Sequence, residues 1–171
     1  MEVYIKFQRM NKVFIIFKYV ILICIFAVST NTYSQKVYSG NSSYQSDIFC
    51  TVSNGYIYIG NSTYQSDIIA YFDGKYLYKG NSKYSSDIIL TYSNGKIYNG
   101  RSTYNLDIIA NCKYGKVYNR NSSYFTDIMF NIKNNKVYLG NSSYDYSIIC
   151  RSSGYIHPMI WYFVLNRFTK F

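Results

Sequence analysis

A chain of 171 residues is enough for about one domain, and a hydrophobic content of 49% supplies a folded core, which excludes a disordered chain. The formal charge is +10, but Lys6, Arg9, Lys12, Lys18 and Glu2 lie in an N-terminal leader; without them 14 basic and 7 acidic residues remain, a net of +7. These cations are scattered singly, so there is no basic run of the kind that binds nucleic acid, and the excess favours anionic surfaces only weakly.

In chain order the first element is an address. Lys12 and Lys18 precede the apolar run from Tyr19 to Val28, and a polar stretch, residues 29–34, follows it. That order is a secretory signal peptide, with Met10 as an alternative start and cleavage expected before Gln35. The run is too short for a bilayer span of roughly 20 residues. Residues 1–34 therefore read as a signal peptide, and the remainder as exported: periplasmic, cell-surface or secreted.

From residue 36 one phrase returns every 20 residues without insertion, beginning at Lys36, Tyr56, Tyr76, Lys96, Lys116 and Lys136. Each unit carries two short apolar runs separated by Gly-Asn-Ser clusters and by pairs such as Asn54-Gly55, Asp73-Gly74 and Asn94-Gly95. This is strand, turn, strand, turn, the Gly pairs supplying the positive φ of tight hairpins. No segment sustains a 3.6-residue period, so helix is disfavoured. Period-two alternation puts Ile88, Leu90 and Tyr92 on one face of the second strand and Ile89 on the other. The position of Leu90 holds Cys50, Ala70, Ala110, Phe130 and Cys150 in the other units, a mixture of sizes suited to a crowded barrel interior. One unit cannot bury such a strand alone; its neighbours must. The expected architecture is all-β: six hairpin units over residues 35–156 closing into a shallow barrel, the alternative being an open hairpin solenoid.

The strand-entry pairs such as Lys136-Val137, the segments Asn41-Ser42-Ser43-Tyr44 and Asn141-Ser142-Ser143-Tyr144, and the turn glycines Gly55, Gly74, Gly95 and Gly115 resemble those of the β-flower proteins. The resemblance spans residues 36 to about 156. It implies a bacterial chain of hairpin petals around a shallow, apolar-centred barrel, with a Tubby-like overall shape that points to lipid or membrane association. It brings no functional residue with it.

Candidate chemistry is sparse. Asp47, Asp67, Asp87, Asp107 and Asp127 recur at the strand entry, with Ser147 in the sixth unit. One carboxylate per unit falls short of the six to eight oxygens of a Ca²⁺ site, and Asp beside Ser-rich turns commonly caps backbone donors. Tyr44, Tyr64, Tyr84, Tyr104, Tyr124 and Tyr144 form the candidate ligand surface, each with an apolar face and a polar tip beside hydroxyl and amide groups. The competing reading has them cover the core edge. Cys50, Cys112 and Cys150 follow no zinc spacing and read as small buried apolar residues like their column mates; Cys50 and Cys150 share a column in the first and sixth units, and the alternative is a disulfide across the seam of a closed ring. His157 is the sole histidine and lacks a nucleophile pattern. The tail, residues 157–171, is apolar and aromatic with terminal cations, suited to covering the barrel mouth, to a membrane interface or to self-association. No catalytic residue, metal or cofactor is assigned. The functional expectation is a non-catalytic exported binding module for envelope lipid or glycan, the alternative being a structural or self-associating cell-surface protein.

Overall fold

The computed structural model describes residues 34–169, so all but the last residue of the leader assigned above lies outside them. Twelve antiparallel strands follow one another: β1 (Gln35–Ser39) and β2 (Ile48–Ser53), β3 (Tyr56–Ile59) and β4 (Ile68–Phe72), β5 (Tyr76–Lys79) and β6 (Ile88–Ser93), β7 (Lys96–Asn99) and β8 (Ile108–Lys113), β9 (Lys116–Asn119) and β10 (Ile128–Lys133), β11 (Lys136–Leu139) and β12 (Ile148–Ser152). Each pairs with the next, and β12 pairs with β1, so the sheet is a closed barrel and the open solenoid is excluded.

At one end the strands are joined by tight turns. Asn54 and Gly55 stand at φ 52° and 80°, and Asn94-Gly95, Tyr114-Gly115 and Asn134-Asn135 repeat the pattern. Two successive positive φ values give a turn whose twist matches that of the flanking strands. The second turn differs from what its Asp-Gly pair leads one to expect. At Asp73-Gly74 only Gly74 has positive φ, at 103°. Asp73 instead accepts the backbone N–H of Lys75 (2.8 Å) and of Tyr76 (2.7 Å) through Oδ1, making an Asx turn one residue earlier.

At the other end each pair is joined by an eight-residue loop, or petal, closed by a single 3-10 turn such as Gln45–Asp47. Here the period-two reading needs correction. Val37 pairs with Cys50 but Tyr38 pairs with Ile48, so Phe49 is a bulge, and the same shift recurs in all six units. The extra residue turns two consecutive side chains inward. Thus Ile89, Leu90 and Tyr92 all pack against the core, and Ile88 lies outside it.

The seam has the register of the tight-turn pairs without the turn. Val37 pairs with Ser152 as Ile57 does with Val52, and Gly40 N–H donates to Ile149 O at 2.9 Å as Gly60 N–H does to Phe49 O. β1 therefore lies between Cys50 on β2 and Cys150 on β12. Two strand spacings put them roughly 10 Å apart, beyond disulfide reach. Both thiols are free and buried, so no disulfide spans the seam and the two cysteines serve as small buried residues like their column mates.

The repeats hold no α-helix, as their pattern leads one to expect, but the tail does. Residues Pro158–Phe168 form α1, opened by Pro at its first position and by the His157 side chain, whose Nδ1 accepts Met159 N–H at 3.2 Å. Its residues Met159, Ile160, Trp161, Val164 and Leu165 are buried in one cluster with Val37, Ile57, Leu77, Ile97, Val117 and Val137 from the barrel wall. His157 meets Phe72 and Tyr92 near the turn end, while Phe168 meets Phe49 at the petal end. The helix, about 16 Å long, therefore runs through the lumen. Twelve strands enclose more space than their own side chains fill, since about eight suffice for a side-chain-filled interior; α1 supplies the missing core.

Candidate functional site

The petals are built by one repeated device. A residue at positive φ, Gly40 in the first unit, ends the outgoing strand. Ser42 Oγ then donates to the Asp47 carboxylate and accepts the Tyr44 N–H at 3.1 Å, while Asp47 N–H donates to Tyr44 O. The same lock joins Ser62 to Asp67, Ser82 to Asp87, Ser102 to Asp107 and Ser122 to Asp127. In the sixth petal Ser147 Oγ donates at 2.6 Å to Ser142 Oγ, and also lies 2.6 Å from Tyr144 O. Each recurring carboxylate is thus engaged within its own loop. Among the described residues no three of His, Cys, Asp and Glu gather as metal ligands would.

The lock has one geometric result. Tyr44, Tyr64, Tyr84, Tyr104, Tyr124 and Tyr144 are thrown outward and are 65 to 78% exposed. The other invariant tyrosine column behaves differently: Tyr78, Tyr98, Tyr118 and Tyr138 are buried and Tyr38 and Tyr58 half-buried, outside the core cluster, and Tyr78 Oη donates to Asp73 at 3.0 Å. The two columns, alike in sequence, separate into a ring facing water and a layer facing protein.

Petals are tied to the preceding returning strand. Thr51 and Thr91 donate to Gly60 O and Gly100 O, and Asn111 and Asn131 to Ser122 O and Ser142 O. At the equivalent site stands Tyr71, where Lys83 Nζ lies 4.7 Å over its ring and 5.7 Å over that of Tyr56. A cation over an aromatic face replaces the hydrogen bond.

The six petals are not alike at their tips. The first three carry Gln45, Ser46, Gln65, Ser66, Ser85 and Ser86, whereas Leu106, Phe125 and Tyr146 stand exposed on the last three. Tyr146 stacks on Tyr144 at 5.5 Å with rings 6° from parallel. The consensus averages this difference away.

Of the remaining candidates, Cys112 has its thiol pushed up to about 12 by burial, and burial likewise raises Cys50 and Cys150. All three are protonated and unreactive at neutral pH. His157 is held below its usual value by burial, matching its role as a neutral acceptor at the start of α1.

Closure also rearranges the charge that looked scattered. Six of the seven acids outside the leader lie on petals; only Asp73 lies at the turn end. Lys36, Lys75, Lys96, Lys113, Lys116, Lys133 and Lys136 all fall at or beside that end.

These features define a class: a closed hairpin-repeat barrel, filled by a helix, with locked petals at one end. The chain belongs to the six-fold beta flower proteins, whose family model matches residues 37–161, from within β1 to the fourth residue of α1. Comparison with curated proteins and with solved structures gives no match.

Proposed function

We propose that the protein is an exported, non-catalytic binding module whose petal end takes a neutral glycan of the cell envelope. The carrying observation is the ring of six exposed tyrosines. Burying an aromatic side chain would stabilise the fold, yet the Ser–Asp lock of five petals and the Ser–Ser pair of the sixth hold each ring in water. A tyrosine face stacks on the apolar face of a sugar, while its hydroxyl and the neighbouring Asn and Ser groups meet the sugar hydroxyls. Six equivalent sites suit a repeating polymer, because each further contact is intramolecular. The leader-like segment supports export, and fractionation of cells should place the chain outside the cytoplasm.

The test is binding to uncharged envelope polysaccharides by calorimetry. Replacing the six tyrosines with Ser should abolish binding and leave the melting temperature within a few degrees. Undiminished binding by that variant would sink the proposal. A rival reading, self-association, draws on the exposed Leu106, Phe125 and Tyr146. It requires a concentration-dependent sedimentation coefficient that Leu106→Ser with Phe125→Ser abolishes.

A further inference from the structure

The turn end bears a charge pattern that the fold does not need. Going around the barrel, β7, β8, β9, β10, β11, β12 and β1 are consecutive neighbours. They carry Lys96, Lys113, Lys116, Lys133, Lys136 and Lys36 at this end, while Arg151 on β12 lies in the column that ties the petals, 5.8 Å over the Tyr38 ring. Strands lie about 5 Å apart, so each cation is within a Debye length of its neighbours. Lys113 pairs directly across from Lys116, and Lys133 across from Lys136; like charges placed opposite destabilise a sheet. The first turn has Ser53 opposite Tyr56 at the same register, so the architecture does not demand it. Lys136 pairs with Asp145 at 3.6 Å, a partner reached from the last petal, and the arc stays strongly positive.

An aromatic residue accompanies the charge. Tyr114 holds φ 52° in a turn where other units place Asn or Gly, and its side chain is 89% exposed. A bulky residue in the left-handed region costs about 1–2 kcal/mol, and this one recovers nothing by burial. Lys113 Nζ lies 5.3 Å over its ring. Beneath it a groove of about 170 Å³ opens between Lys113 and Lys116, with Tyr92, Ile132 and Pro158 among its walls. Tyr155, also exposed, stands at the same end.

A cationic arc studded with exposed tyrosine fits a surface that is anionic and has an apolar layer beneath the charge. We propose that the turn end docks on an anionic lipid bilayer, with a lipid phosphate between Lys113 and Lys116 and Tyr114 at headgroup depth. A soluble polyanion would meet the charges but offer Tyr114 nothing. This surface uses none of the petal tyrosines, so it stands or falls apart from glycan binding.

The experiment is flotation of the full chain with vesicles of phosphatidylcholine alone or with about 30% phosphatidylglycerol added, in low and high salt. Binding is expected only with the anionic lipid, and is released by salt. Lys113→Gln with Lys116→Gln should weaken it roughly thirtyfold. Tyr114→Gly should also weaken it while raising the melting temperature, so a misfolded variant cannot mimic the result. Equal binding to pure phosphatidylcholine overturns the proposal. So does full affinity of Tyr114→Gly together with complete displacement by inorganic polyphosphate, the signature of a soluble polyanion site. Loss on Arg101→Gln with Arg120→Gln, at the opposite end, would overturn it as well.

Discussion

At the scale of single residues, backbone conformation separates what the fold requires from what it tolerates. Gly40, Gly60, Gly80, Gly100 and Gly140 enter the petals at φ 56° to 60°, and Arg120 occupies the same position at 53°. A side chain at Gly40, Gly60, Gly80 or Gly100 would meet no atom within 4 Å, so the preference for glycine is conformational rather than spatial. Arg120→Gly should therefore stabilise the protein by about 1 kcal/mol, read as a higher denaturant midpoint with unchanged slope. The glycine column was readable in the sequence, and so was Asp47 as a local cap, because Ser147 in the sixth unit keeps hydrogen-bonding capacity. The exchange of Tyr71 and Lys83 for a threonine tie was hidden. Its partners are 12 residues apart, and only the fold puts Lys83 Nζ over the ring.

Among elements, α1 shows why a correct strand pattern can miss a helix. Met159 to Leu165 has no polar face, because the helix lies inside the barrel and is apolar all round. Amphipathic periodicity is then absent for a physical reason. The bulges at Phe49 and its equivalents were invisible for a related one, since an inserted residue breaks alternation where the sequence remains uniformly apolar. Trp161 is fully buried, and Trp161→Ala should cost about 3–5 kcal/mol, measured by denaturant unfolding. The cap of α1 adds a pH dependence. Burial holds the folded pKa of His157 below its usual 6.5, so the unfolded chain takes up the proton first. Its contribution is complete above 6.5 and is lost as pH falls through that value toward the folded pKa. Melting temperature should fall with acidification over that window. His157→Asn, a non-titrating cap, should flatten the dependence; an unchanged slope would remove His157 as its source.

For the whole molecule, closure turns a one-dimensional sequence into two unlike ends. The alternation of short turn and long loop was legible from Asn54-Gly55 and Asn41-Ser42, and with it the existence of two rims. Charge segregation was not: Lys113 with Lys116 and Lys133 with Lys136 look like separate pairs along the chain and join one arc only when β9 and β10 line up. The seam between β1 and β12 is closed without a turn, by backbone hydrogen bonds in a register shared with the turn-linked pairs and by Arg151 lying 5.8 Å over the Tyr38 ring. Deleting residues 76–95, one full period, would keep every remaining strand in register and leave ten strands. That variant should melt far below the parent and bind a hydrophobic dye, and removing residues 157–171 as well should reduce the dye signal. Equal stability with the helix retained would contradict a lumen matched to α1.

That match bears on inheritance. Tandem copies in open stacks can be gained or lost one at a time, since each contacts only its neighbours. Here Trp161 and its companions act as a gauge of girth. A genetic duplication or slip by one unit would leave the plug loose or squeezed, so the count of six is held in place by a segment that is not itself a copy.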